Sequence, residues 1–224
     1  MVVDNICCHS FFAQIDENSI IVDLGANHGE FAHSVIQRYG SRVFSAEPVP
    51  ELAERITRHP RLTLLPVALS GAVGTMRINV YPDRCASGFD QYEGERAGQT
   101  IDTDTVTLAE FRRRNGIGRI NLLKIDIEGA ELDMFAAAAD AEFADIDQIT
   151  IEFHDFLYPE TRPAVEAVKR RLQHLGFHML PFSLDNTDVL FVNPKAGVGW
   201  RHRLWARTAV KYGRGIRRRL QRLT

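Results

Sequence analysis

The stretch Ile20-Ile21-Val22-Asp23-Leu24-Gly25-Ala26-Asn27-His28-Gly29-Glu30-Phe31 constrains this chain more than any other. A short apolar, β-branched run that ends in an acid reads as a buried strand. Two glycines then frame a tight turn. After it, Phe31, Val35, Ile36 and Tyr39 recur at helical spacing, and Gly40 supplies a stop. Strand, glycine turn and helix in that order belong to α/β folds, where the turn brings backbone N–H groups and a helix N-terminus close to a nucleotide-like ligand. Glycine is expected there because a Cβ at the closest approach would push the ligand away.

The rest of the chain repeats the unit. Arg42 to Glu47 reads as a second strand ending in an acid, and Pro50 opens a helix with Leu52 and Ile56 on its apolar face. Leu62 to Leu65 is a third strand. This β-α-β-α-β rhythm predicts half of a parallel, doubly wound sheet. Thr75 to Tyr81 alternates as a strand does, whereas residues 84–99 are polar and without period, as a lid or mobile insertion would be; Ser87 and Gly88 sit within it. Thr107 and Glu110 fit a capping box for a helix ending near Gly116. Asn121 to Ile127 and Gln148 to His154 are further strands, and Val165, Val168, Leu172 and Leu175 mark a helix closed by Gly176. Two last strands, Phe177 to Leu180 and Asp188 to Val192, are joined by too short a loop for a crossover helix, so they should be antiparallel. The expected fold is α/β: a mostly parallel seven-stranded sheet with a terminal antiparallel hairpin. Residues 1–18 read as an N-terminal extension, 19–194 as the ligand-binding domain and 195–224 as a basic tail.

The tail stands out by charge. From Lys195 onward there are ten Lys and Arg and no acid, while the first 194 residues carry a net charge of −12. Trp200, Leu204, Trp205, Ala209, Tyr212, Ile216, Leu220 and Leu223 recur at roughly helical spacing, which describes a basic amphipathic helix. Such a helix suits docking on the chain's own acidic body, a second copy in a homo-oligomer, or an anionic membrane surface. Nucleic acid is disfavoured, because basic clustering alone is not a binding motif. No apolar run is long enough to span a bilayer, and no basic segment precedes the early apolar patches as in a secretory signal. A cytoplasmic location is therefore expected, peripheral to the inner membrane surface if the tail binds lipid. Cys7, Cys8 and Cys85 are too few for a disulfide framework or a zinc site.

Ligands of such sheets sit at the carboxyl ends of the strands, where Asp23, Glu47 and Asp126 lie. Glu47 follows Gly25 by 22 residues, the interval of a carboxylate that accepts ribose hydroxyls. NAD and S-adenosylmethionine (SAM) share that feature. The turn is Gly-x-x-x-Gly and lacks the third glycine of a pyrophosphate loop, which favours SAM. A Ser-Tyr-x-x-x-Lys set for an NAD-dependent oxidoreductase is also missing. A non-enzymatic or RNA-directed protein acting through the tail is the remaining alternative.

Val22 to Phe31 resembles the first motif of the FkbM-type SAM-dependent methyltransferases. Glu47-Pro48 is similar to their second-strand end, and Val67-Ala68-Leu69-Ser70 to their third-strand exit. Leu122-Leu123-Lys124-Ile125-Asp126-Ile127-Glu128-Gly129-Ala130-Glu131-Leu132 resembles their most distinctive block. The resemblance implies a Rossmann-like, class I methyltransferase fold, SAM as cofactor, and O-methylation of a hydroxyl on a sugar, glycan or secondary metabolite. It places Asp23, Gly25, Ala26, Asn27, Gly29, Phe31, Glu47, Pro48, Ala68 and Ser87 around SAM, with Asp23 near the methionine end.

For the chemistry, a hydroxyl acceptor benefits from a base, and His154 at a strand end is the first candidate. Asp126 and Glu128 flank the centre of the sheet as substrate-orienting groups or bases, with Lys124 paired to them. Glu131 lies one helical turn beyond Glu128. No His joins Asp126 and Glu128 at short spacing, so no metal is expected.

Overall fold

The computed structural model describes residues 2–80 and 99–210. In chain order its elements begin with β1 (Val3–Ile6), β2 (His9–Phe12), β3 (Ile20–Leu24), α1 (Glu30–Tyr39), β4 (Arg42–Ala46), α2 (Pro50–Arg55) and β5 (Leu62–Leu65). They continue with β6 (Ala68–Leu69), β7 (Gly74–Val80), β8 (Gln99–Val106), α3 (Leu108–Asn115), β9 (Leu122–Ile125), α4 (Glu131–Ala137) and β10 (Gln148–Ile151). The last are α5 (Arg162–His174), β11 (His178–Pro181), β12 (Val189–Val192) and α6 (Trp200–Trp205).

Seven strands form one sheet in the order β11-β12-β10-β9-β3-β4-β5. β3, β4, β5, β9 and β10 run parallel, and β12 is antiparallel to both its neighbours. This is the mostly parallel, Rossmann-like sheet with a closing antiparallel pair that the sequence predicts. The chain winds outward from β3 to β5 on one side and from β9 on the other. The crevice between β3 and β9 is thus the topological switch point, where such sheets bind ligands.

Both faces of the sheet are covered. Phe111, Phe135, Phe143 and Leu172 fill one face beneath α3, α4 and α5. Phe11, Phe12, Phe31 and Val35 fill the other beneath β2 and α1. Each fully buried aromatic contributes about 1.5–3 kcal/mol of apolar transfer free energy.

The turn after β3 owes its glycines to the protein's own packing. Gly25 has φ +82, and a Cβ built on it would lie 1.8 Å from the carbonyl oxygen of Asp126. At Gly29, with φ +77, a Cβ would meet Ile56 Cγ2 at 2.8 Å. The close approach is between two strand-end loops, one after β3 and one after β9. That contact, rather than a ligand, is what excludes a side chain.

Other parts differ from expectation. Residues 3–12, within the N-terminal extension, form the antiparallel hairpin β1–β2. Phe11 and Phe12 point to opposite sides of β2 and both are fully buried. Phe12 N–H donates to Gln148 Oε1 (2.8 Å), and Gln148 Nε2 donates back to Phe12 O (3.0 Å), tying the hairpin to β10. β8 pairs with β7 along its length, although its outward Thr100, Asp102 and Asp104 hide it from an apolar pattern. Ser87, Gly88 and the rest of the expected lid up to residue 98 lie outside the described residues. Thr107 does cap α3, accepting from Glu110 N–H at 3.2 Å. The Glu110 carboxylate instead pairs with Arg113 and Arg114, so only half of the capping box forms.

Within the described part of the tail, α6 spans Trp200–Trp205. Val198 and Ala206 are buried in the hairpin-side core, while Trp200, Leu204 and Trp205 are exposed. Residues 211–224 of the expected basic helix lie outside the described residues. No helix among the described residues is long and apolar enough to cross a membrane.

Two alanine substitutions separate backbone strain from close contact. Gly116 has φ +62 and open space around it, so Gly116→Ala should cost about 1 kcal/mol of left-handed strain. Gly25→Ala adds the collision with Asp126 and should cost about 2 kcal/mol more in urea unfolding. Equal losses would show that the two loops do not touch as described.

Candidate functional site

The carboxyl end of β4 delivers Glu47, which is 4% exposed. Its two oxygens accept separate backbone N–H groups, Oε2 from Asn27 (2.7 Å) and Oε1 from Val49 (3.0 Å). Burial pushes this carboxyl up to about 7, against the pull of those two N–H groups and of Lys124. Glu47 lines a cleft at the carboxyl ends of the strands, where open α/β sheets bind their ligands. Gly25 and Asn27 form one wall of it. Val67, Ala68, Leu69, Met76, Ile78 and Ile127 supply apolar surface, and Asp126 and Glu128 close the far side.

Beneath the turn the sheet register sets a row of polar side chains. Asp23 on β3 is opposite Ser45 on β4 and Lys124 on β9, and Lys124 is opposite Thr150 on β10. Residues paired in this way share a face of the sheet. The Lys124 ammonium, 4% exposed, lies 3.2 Å from Asp23 Oδ1 and 3.6 Å from Asp126 Oδ2. It also donates to the carbonyls of Leu24 (3.3 Å) and Gly25. Burial opposes its charge, but Asp23 and Asp126 outweigh burial and hold the lysine above its ordinary range. Burial likewise works against the Asp126 carboxylate, yet Lys124, His9 and His154 keep its carboxyl well below the usual range.

His154 follows β10. Its Nδ1 lies 3.1 Å from Glu131 Oε1, and its Nε2 lies 3.3 Å from Glu128 Oε2 and 3.8 Å from Asp126 Oδ1. Burial disfavours the charged ring, but the hydrogen bond to Glu131 and the charges of Glu131, Glu128 and Asp126 raise it to about 9. The surrounding carboxylates thus draw the ring toward its protonated form, with both nitrogens facing an acid. The Glu131 carboxylate folds back onto its own turn. Its Oε1 accepts from Ile127 N–H (3.1 Å) and Gly129 N–H (3.2 Å), clasping the turn that carries Glu128 at φ +53.

Seven of the expected residues therefore line the cleft: Gly25, Asn27, Glu47, Pro48, Ala68, Asp126 and Glu128. Asp23 is fully buried under the turn, paired with Lys124, and Lys124 is enclosed by its own partners. Ala26 and Phe31 are buried, Phe31 with its ring edge-on to His9, and Gly29 caps α1. Ser87 lies outside the described residues. Two groups in the neighbourhood escaped the sequence reading. His9 reaches Asp126 from the hairpin, with Nε2 3.5 Å from Oδ2. Glu152, two residues beyond Thr150, is pushed up to about 7 by burial and by Asp126, against His154. Alternation along β10 puts residue 152 on the face of Thr150, a signal the sequence did contain.

A family model described as the methyltransferase FkbM domain matches residues 23–179. The 31-O-demethyl-FK506 methyltransferase FkbM of Streptomyces tacrolimicus is 28% identical over 178 residues, covering 63% of this chain and 68% of that protein. The 2-O-methyltransferase NoeI of Sinorhizobium fredii is 29% identical over 138 residues, covering 52% of this chain and 56% of that protein. The AMB antimetabolite synthetase AmbE of Pseudomonas aeruginosa is 25% identical over 203 residues, covering 72% of this chain. The match spans only 10% of the length of that synthetase.

The placement of Lys124 assigns it a structural task. Lys124→Met leaves the Asp23 carboxylate buried without its cation and should cost about 3–5 kcal/mol in denaturant unfolding. A loss under about 1 kcal/mol would contradict that task.

Proposed function

Because the chain belongs to the FkbM methyltransferase family, we propose that it is a SAM-dependent O-methyltransferase whose acceptor is a hydroxyl on a sugar, glycan or secondary metabolite. The observation that carries this reading is one cleft that joins Glu47 to Asp126 and Glu128. Its residues suit SAM. Each Glu47 oxygen accepts one backbone N–H and keeps a lone pair for a ribose hydroxyl. The apolar surface from Val67 to Ile78 suits a purine. Asp126 places a fixed negative charge on the wall, which favours a cationic ligand. The relatives whose names specify O-methylation support the same reaction type.

SAM supplies an electrophilic methyl: the acceptor oxygen bonds to the methyl carbon as the carbon–sulfur bond breaks, its electron pair leaving on sulfur. The protein's own work is to align the partners and remove a proton. Gly25 and Asn27 bound the end of the cleft nearest β3, and Glu47 fixes the sugar of the cofactor. Glu128 takes the proton that the acceptor hydroxyl releases and passes it to solvent. The neighbouring His154 imidazolium positions the Glu128 carboxylate, and Glu131 positions His154.

Transfer of a labelled methyl group from SAM to pools of hydroxylated sugars and natural products tests this. The expected product is an alkali-stable ether. Glu128→Gln should lower turnover about 100-fold while S-adenosylhomocysteine binding is retained. Label appearing in an alkali-labile ester, or full turnover by Glu128→Gln, would contradict the assignment.

A further inference from the structure

His9, Asp126 and Glu152 come from three distant parts of the chain. Their ligating atoms all lie within 4.8 Å of one another. We propose that these three side chains hold one divalent cation of the manganese type at the acceptor end of the cleft.

The His9 imidazole is enclosed between Thr150 and Asp126. The ring is 1% exposed, with Nδ1 3.5 Å from Thr150 Oγ1 and Nε2 3.5 Å from Asp126 Oδ2. When Nδ1–H donates to the threonine, the Nε2 lone pair faces a carboxylate. Glu152 adds a second carboxylate that makes no hydrogen bond or ion pair among the described residues. In that tautomer one imidazole nitrogen and two carboxylates converge, each able to turn a lone pair to the same point, the arrangement a divalent cation joins. An imidazole oriented through its other nitrogen is also how metal-binding histidines are usually held.

The neighbouring cluster of Asp126, Glu128 and His154 has similar spacing but a different state. Both ring nitrogens of His154 are already engaged, one by Glu131 and one by Glu128. That set is internally paired. The His9 set is the one with lone pairs to spare.

Charge points the same way. Among the described residues, Asp23 and Asp126 share the Lys124 ammonium, and Glu152 pairs with no cation. The Lys124 ammonium is occupied by Asp23 and two carbonyls as well as by Asp126. One imidazole with two carboxylates suits a hard to borderline ion such as Mn²⁺. Three protein ligands leave coordination positions open, and Asp126 borders the cleft. The acceptor hydroxyl would take one of them. As a ligand it becomes more acidic, and its proton passes to Glu128 while the oxygen attacks the methyl carbon. This role in acceptor binding rests on the methyl-transfer reading; the ion site itself does not.

The test is titration of the full chain with Mn²⁺ in the absence of cofactor and acceptor, following free Mn²⁺ by electron paramagnetic resonance. The wild type should take up one ion per chain, saturating in the micromolar range. His9→Gln and Glu152→Gln should each weaken binding at least about tenfold. Mn²⁺ should raise the Tm of the wild type and leave that of the two variants unchanged. Thr150→Val keeps all three ligands and frees the tautomer, so it should weaken binding by a smaller factor even if a ligand variant fails to fold. No saturable binding below millimolar Mn²⁺, or equal affinity in wild type and folded variants, would overturn the proposal. Such a failure would leave the methyl-transfer assay unaffected, since neither SAM nor acceptor takes part in the titration.

Discussion

A buried ammonium holds the two halves of the cleft together. Lys124 bridges Asp23 below the glycine turn and Asp126 at the end of the next strand, and it donates to two carbonyls of the turn itself. Burying the Lys124 and Asp23 charges is expensive, and the cost is offset only by close pairing and hydrogen bonds. The arrangement therefore fixes positions more than it adds stability. With Lys124 in place, the Gly25 backbone is drawn against the Asp126 carbonyl, where no side chain fits. The Glu47 and Asp126 sides of the cleft are thus set against each other by the sheet register.

The two halves differ in their electrostatics. At the end of β4, Glu47 is held by backbone N–H groups, and burial pushes its carboxyl up to about 7. Across the cleft, Lys124 and the neighbouring imidazoles draw Asp126 toward its ionised form, and Glu131, Glu128 and Asp126 draw His154 toward its protonated form. The hairpin at the start of the chain completes this side, because it alone brings His9 over Thr150 and Asp126.

Much of the fold was legible because it rests on local patterns. The Ile20–Leu24 strand, its glycine turn and α1 follow from apolar runs, two glycines and helical spacing. The short loop before the last strand implied the antiparallel pair that β11 and β12 form. Glu47, Asp126 and Glu128 were legible for the same reason, as acids at strand ends. Three features were not. β8 hides behind outward Thr and Asp residues, and β1–β2 is too short to show a period. The pairing of His9 with Asp126 spans 117 residues and exists only once the hairpin packs on β10. The state of His154 was equally hidden. Its position at a strand end suggests a base, but its charge depends on Glu131, which folds back on its own turn.

The central claim is that Glu47 receives the ribose of SAM at the end of β4. Calorimetric titration of S-adenosylhomocysteine into the wild type and Glu47→Gln, at about pH 6 and about pH 8, tests it most directly. A carboxyl that titrates near 7 is mostly protonated at the lower pH and mostly ionised at the higher, and the ribose hydroxyls bind the ionised form. Wild-type affinity should therefore rise roughly tenfold across that interval relative to the variant. Affinity equal in the two proteins at both pH values, or a preference for NAD over S-adenosylhomocysteine, would contradict the account.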